Sequence, residues 1–444
     1  MARAQVLVQI TDDSYVIPFR SGASSTIAGM VSTPKAHSTA GTLLGLVEVL
    51  GNTAERSNGF MLIQSPGEWM DRLVSNEPTG VAGTGPGNNG DWPFYHLEEG
   101  ATGDFTAGNT FAGGNTLGRF PKGPTGEWAG DWWCVHNYLQ YGGGVIVGNS
   151  ETILKDKSHN IDVVFAGAAT AGGGGDISGS APNGYFATST KVTEAVNVAT
   201  DRKDCIAVVP NGGTAAPSTT ASRAAGSQAS EYVIEVFGQK FHADINRNTN
   251  ENTDASLINV HCAPDVAGIL ARTDAVADPW ISPAGPRRGV LVDAVRLGHS
   301  PTKIEQDMLY DGRVNPIIND PDSGIMLFGD KTTKSETSTL SRINVSRLFI
   351  HLKKTIGAAA RSKLFEINDA DTRTSFKNAI EPFLTQIKSR DGIYDFRVVC
   401  DETNNTSNII DSNQFVADVF IKPAKSINFI QIQFTNKNTQ DSLG

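Results

Sequence analysis

The chain has 444 residues, more than one compact core usually holds, so two folded units are expected. Hydrophobic residues make up 39% of it and charged residues 19%, which excludes global disorder. The net charge of −10 argues against a nucleic-acid binder, which carries a basic excess, and any cationic contact is expected to be local. Cys134, Cys205, Cys262 and Cys400 lie far apart with neither metal nor redox spacing, and they read as free buried thiols in a reducing compartment. The opening MARAQVLVQITDD has no apolar stretch long enough for a signal peptide, and no segment approaches the ~18 apolar residues of a membrane span. The expectation is a soluble protein made in a cytoplasm, without membrane insertion.

In chain order, residues 4 to 10 form a short strand-like run with Val6, Val8 and Ile10 on one face. From about 21 to 277 the chain is rich in Gly, Ala, Ser and Thr, with loop-like stretches at 79–90, 102–126, 167–184 and 211–227. Strands are expected at 59–63, 144–148, 205–209, 232–238 and 256–260, and helices at 66–74 and 130–140. This half reads as an α/β domain with a decorated surface.

WISPAGPRRG, residues 280 to 289, marks a stiff connector through Trp280, Pro283, Gly285 and Pro286. A strand is expected at 289–295, and Ser300 and Pro301 are expected to open a helix reaching Tyr310. Strand-like runs follow at 324–329, 393–400 and 415–421. Between them two helices are expected, at 344–362 with Val345, Leu348, Phe349, Leu352 and Ile356 inward, and at 372–389. Asp369 or Asp371 would cap the second helix and Pro382 would bend it. This half reads as α+β. The closing SINFIQIQFTN, 426 to 436, puts Ile430, Ile432 and Phe434 on one face, yet Pro423 separates it from the preceding run and nothing after it can fold back to pair. Such a strand needs another sheet's edge.

The chemistry-bearing residues are sparse. The GGGG at 172–175 and GTGPG at 83–87 do not continue into a phosphate-binding pattern, the eight histidines are scattered, and no nucleophile elbow is present. NDADT at 368–372 fits capping rather than calcium, and NDPDSG at 319–324 fits a turn. Neither a cofactor nor an enzyme is expected. Between Ser341 and Leu364 stand six basic residues and no acidic one; Arg347, Lys354 and Arg361 recur every seven positions as one helical stripe. That stripe is either a solvated face or a surface for an acidic partner.

Several segments in order resemble the contractile tail sheath proteins of phages and related injection machines. They are APDVAGILARTDAVADPWISPAGPRRGVL (263–291), LYDGRVNPI (309–317), GIMLFGDKT (324–332), INVSRLFIHLKK (343–354), FEINDADTRTSF (365–376), GIYDFRVVCDETNN (392–405) and IKPAKSINFIQIQF (421–434). IQSPGEWMDRL (63–73) and HNYLQYGGGVIVG (136–148) resemble the family more loosely, the latter with Tyr138, Leu139 and Tyr141 where aromatic pairs and Asn are usual.

The resemblance implies a structural subunit that polymerises with itself as hexameric rings stacked into a helical tube. Implied partners are the tail tube protein and the baseplate and tail terminator proteins, with residence in the virion. It implies an inner domain made from an N-terminal arm (1–20) and a core (278–425), an outer domain (21–277) inserted between, and a C-terminal arm (426–444). The arms, through Val6, Val8, Ile10, Ile430, Ile432 and Phe434, would complete neighbours' sheets. Arg347, Lys354 and Arg361 are the expected tube-facing contact, and Trp280, Pro283, Gly285 and Pro286 the interdomain connector. The sheath of a tailocin or bacterial injection system is the nearest alternative; a fibre or adhesion protein is one of a different class.

Overall fold

The computed structural model describes residues 26–32, 50–75, 129–170, 184–211, 227–243, 257–335 and 338–426, with short isolated pieces between 35 and 47 and between 105 and 111. The chain begins with β1 (Ile27–Val31), β2 (Phe60–Ile63) and helix α1 (Pro66–Ser75). Next come α2 (Ala129–Leu139), β3 (Gly144–Gly148), β4 (Val163–Phe165), α3 (Ser189–Arg202) and β5 (Ile206–Pro210). After β6 (Val233–Phe237) and β7 (Gln239–Ala243), β8 (Leu257–His261) leads directly into α4 (Ala263–Val276). Beyond the Trp280 turn lie α5 (Lys303–Asp311), β9 (Asn315–Asp320) and β10 (Gly324–Leu327). The last elements are α6 (Ile343–Arg361), α7 (Ala370–Ser389), β11 (Ile393–Val399) and β12 (Asp418–Pro423).

Eight strands form the main sheet in the order β10-β9-β6-β5-β4-β1-β3-β2. The six central strands are parallel, and an antiparallel strand closes each edge. GVIVG, IAVVP and VIEVF are buried at every position, as strands covered on both faces must be. Helices α3 and α4 supply that cover. Thr188 caps α3 by accepting from the Lys191 amide, and Pro264 occupies the first turn of α4, where its missing N–H costs nothing. β7 and β8 pair antiparallel in a second sheet of five with the short pieces Arg296–Leu297, Gly184–Phe186 and Ala169–Thr170.

Two large hydrophobic cores result. The first surrounds the main sheet and gathers side chains from Ala28 to Ile350. It also encloses two ion pairs, Lys191–Asp131 and Lys240–Asp265, with all four side chains almost fully buried. The second joins Trp280 to residues of α6, α7, β11 and β12. Residues on either side of position 277 therefore share one sheet, because β9 pairs with β6 and β10 with β9.

The expected strand at 289–295 does not form as one piece. Val290 bridges Met326 and the Leu291 amide donates to the Ile325 carbonyl, whereas the Val295 amide donates to the Phe241 carbonyl. The segment passes from the edge of one sheet to the edge of the other. The helix expected from Ser300 begins at Lys303 instead: Thr302 caps it in a reciprocal box with Glu305, a stronger signal than the preceding Ser-Pro. α7 is capped by Asp369 and runs on past Pro382 to Ser389. NDPDSG forms the turn between β9 and β10.

Candidate functional site

β11 and β12 form a two-stranded ribbon paired from Ile393↔Pro423 to Val399↔Asp418, with a bulge between Ile393 and Asp395. Alternation sets its two faces. Phe396, Val398, Val419 and Ile421 turn inward onto Phe376, Ile380, Leu384 and Ile387 of α7 and the apolar stripe of α6. Arg397, Tyr394 and Phe420 remain on the water side, the last two being 65% and 40% exposed. Neither edge of the ribbon has a third strand among the described residues. A two-stranded ribbon is marginal alone; this one is braced through its inner face, and its rims meet no further strand among the described residues.

The connection between the two strands is fixed by one buried side chain. Asn405 donates to the Asp401 and Val416 carbonyls and accepts from the Val416 amide, while Asn404 donates to Val399 and Asp418. At the other end the Ala424 amide returns to Gly392, and Ser426 donates its hydroxyl to Asp330. The strand runs proposed for neighbour pairing, with Val6, Val8, Ile10, Ile430, Ile432 and Phe434, lie outside the described residues.

The basic stripe on α6 points inward at two of its three positions, which corrects the outward, tube-facing expectation for them. Arg347 is 5% exposed and its Nη2 binds both oxygens of Asp274, which also accepts from the Thr26 hydroxyl. Lys354 donates to Asp162 and, at 2.6 Å, to the Ile161 carbonyl. Arg361 alone is exposed. A seven-residue repeat reports a shared helix face, but not what stands opposite it. Here that is Asp162, beside β4, and Asp274, at the end of α4. No local spacing flags this acidic counterface, because Asp162 and Asp274 lie more than a hundred residues apart in the chain.

The connector is held rather than loose. Trp280 is buried, donates to the Arg390 carbonyl at 3.1 Å and lies against His351, with the Arg390 guanidinium 5.7 Å from its ring centre. Pro283 is buried and Pro286 is exposed at the turn. Gly285 takes the left-handed conformation at φ +90, donates to the Leu327 carbonyl and accepts from the Gly289 amide at 2.7 Å. At Gly289 a Cβ would stand 2.9 Å from the Gly285 backbone.

Between the two cores runs a cleft of about 900 Å³, with Trp280, His351, Phe383 and Gln386 among its walls. Three ion pairs on those walls join the two sides: Arg347–Asp274, Lys354–Asp162 and Arg390–Asp278. Burial pushes the Asp278 carboxyl up, against the pull of Arg390. Among the described residues no cluster of ligating side chains could hold a metal, and no helix is long and apolar enough to cross a membrane. All four cysteines are free and buried. Burial raises the Cys205 thiol to about 12 and Cys400 to about 11, so neither is a nucleophilic thiolate at neutral pH.

Residues 182–333 match the phage tail sheath protein central domain, and residues 335–437 the phage tail sheath C-terminal domain. The tail sheath protein of Vibrio phage KVP40 is 49% identical over 180 residues, covering 40% of this chain and 27% of that protein. The tail sheath protein of Enterobacteria phage T4 is 45% identical over 175 residues, covering 39% of this chain and 27% of its own length. The matched part thus spans about a quarter of these relatives. In fold, the chain is similar to a subunit of the contracted sheath of the extracellular contractile injection system PVC, with a TM-score of 0.61 at 15% identity over 99% of both chains. It is also similar to a chain of the anti-feeding prophage baseplate, with a TM-score of 0.58 at 15% identity over 99% of this chain and 100% of that one.

Proposed function

Since this chain belongs to the phage tail sheath family, we propose that it is a structural subunit of a contractile phage tail sheath. It polymerises as stacked hexameric rings around the tail tube and contracts to drive the tube through the host envelope. Its partners on this reading are further copies of itself, the tail tube protein, and the baseplate and tail terminator proteins. Its place is the virion, and it does no catalysis. The curated relatives are phage proteins, which favours a phage tail over a tailocin or injection system.

The observation that carries the reading is the β11–β12 ribbon, firmly seated on α7 but with both rims lacking a partner strand among the described residues. A neighbour's extended segment added at a rim would gain backbone hydrogen bonds worth roughly 0.5–1.5 kcal/mol each. It would also bury apolar side chains worth roughly 1.5–3 kcal/mol each. Ordering the segment offsets much of this gain, so each link is modest and the lattice is strong by repetition. On this reading residues 1–20 and 426–444 are the arms, and α6, α7 and the ribbon belong to the inner layer. The region 21–277 faces outward, and its relation to the inner layer is set by the shared main sheet as well as by the Trp280–Pro286 turn. No nucleotide is needed, because an extended sheath trapped above a more compact lattice already holds the free energy released on contraction.

Electron microscopy of the full chain at high concentration, beside a chain ending at Lys425, tests this. Tubes from the full chain and folded, dispersed particles from the shorter one are expected. Tubes from both would overturn the role of the C-terminal arm, and dispersed particles from both would overturn intrinsic self-assembly.

A further inference from the structure

Few large apolar side chains stand in water among the described residues, and two of them are a single residue apart. Phe365 is 91% exposed and Ile367 79%, with exposed Glu366 between them. Phe365 has φ +71, a left-handed conformation that a bulky side chain rarely adopts. The loop that imposes it is ordered. The amides of Lys363, Leu364 and Glu366 each donate to the carbonyl three residues back, and the Asn368 side chain donates to the Gln414 carbonyl at 2.8 Å. Backbone strain is thus maintained to present Phe365, Glu366 and Ile367 outward as a knob, and strain held at an exposed apolar site points to contact with something else.

The cleft between the two cores has the matching chemistry. Trp280, Ile350, Phe383 and Ile387 supply apolar wall, and Arg390, 49% exposed, stands over the Trp280 ring with its Nη2 given to Asp278. Deeper in the wall, the almost fully buried Arg347 has no acceptor for Nη1. The wall is apolar with the half-exposed Arg390 at its rim, shared there with Asp278, and the knob is apolar with one carboxylate. The knob cannot serve its own cleft. About ten residues of rigid helix, roughly 15 Å, separate His351 from the end of α6, and the loop beyond is tied to Gln414.

We infer that Phe365–Ile367 seats in the cleft of a second copy of this chain. Phe365 and Ile367 lie against Trp280 and Phe383, and the Glu366 carboxylate faces Arg390. The inference rests on the reading of the chain as a polymerising subunit. Knob and cleft are different patches, so the contact is heterologous: it does not close on itself in a pair, and every added copy presents a fresh knob and a fresh cleft. Mutating either patch weakens the same joint.

The four natural cysteines are buried, which leaves a quiet background for cross-linking. Full chains carrying Glu366→Cys, which keeps both apolar anchors of the knob, or Gln386→Cys, both at exposed positions, are mixed at high concentration and mildly oxidised. They are then read on a non-reducing gel, with electron microscopy of the same samples. A cross-linked pair from the mixture, at least about ten-fold above either chain alone, is expected in tube-bearing samples. Tubes without the mixed cross-link overturn the docking and leave the sheath reading standing. A mixed cross-link in protein that never forms tubes upholds the docking and overturns the sheath reading, and dispersed protein without the cross-link overturns both.

Discussion

Arg347→Met removes one half of the ion pair between α6 and Asp274 of α4, the more enclosed of the two that α6 makes with the first core. Two unit charges about 3.5 Å apart attract by roughly 5 kcal/mol at an effective dielectric of about 20. Dehydration in the intact protein offsets part of that, and breaking a buried pair typically costs about 3–5 kcal/mol because the remaining charge is stranded. Asp274 keeps Thr26 as a donor and is 16% exposed along a cleft that admits water. The cost should therefore fall at the lower end, about 3 kcal/mol, or a drop in Tm of about 3 °C for a chain of this size. Trp280 lines the same cleft, so intrinsic fluorescence during thermal unfolding is the assay. Adding Asp274→Leu should restore more than half of the loss, since an apolar pair replaces the stranded carboxylate. Arg361→Met, on the exposed end of the helix, should stay within about 0.5 kcal/mol. A single Arg347→Met variant melting within about 1 °C of the natural chain would refute the inward placement of that residue.

Gly268→Ala on α4 should destabilise by about 1–3 kcal/mol, although alanine is favoured over glycine in helices by about 1 kcal/mol. The added Cβ would collide with the Tyr141 ring, which cannot retreat because its hydroxyl donates to Asp265 and accepts from the Val292 amide; a rise in Tm would contradict this. Acid should loosen the first core through three histidines. Burial holds His136 at about 4, His242 at about 3 and His261 at about 4, whereas unfolded histidine takes its proton near 6.5. The unfolded state therefore binds more protons between these values, so stability is full above about pH 6.5 and declines as pH falls towards 4. Unfolding free energy measured between pH 5 and 6.5 should show uptake approaching three protons, and an uptake below about one would count against their burial.

Strands whose burial shows in their own composition were legible in the sequence. GVIVG, CIAVV and YVIEVFG read as strands because a run buried on both faces is apolar throughout, and α6 and α7 read as helices from their stripes. β1 and β4 were not, since IAGMV and VVF are short and borrow their stability from neighbours more than a hundred residues away in β3 or forty away in β5. α3 hid for a different reason: STKVTEAVNVATDR is full of β-branched residues, and it is helical because β5 and β1 need cover. At the site, the two runs of the ribbon could be read, but not that they would stand as a sheet of two. The charge stripe on α6 shows in the sequence as a seven-residue repeat, but its direction depends on Asp162 and Asp274, which no local count includes.

The position of β1 also sets a load path. It lies in the interior of the main sheet, bonded to β4 on one side and β3 on the other, and Thr26 just ahead of it is tied to Asp274. A pull on the residues before Thr26 would run along β1, so both ladders would be sheared together rather than opened one bond at a time. The far end is anchored differently, with Ser426 bonded to Asp330 and the ribbon braced on α7. On the proposed sheath reading, tension from neighbours would be received by the interior of the main sheet at one end and by a small braced ribbon at the other.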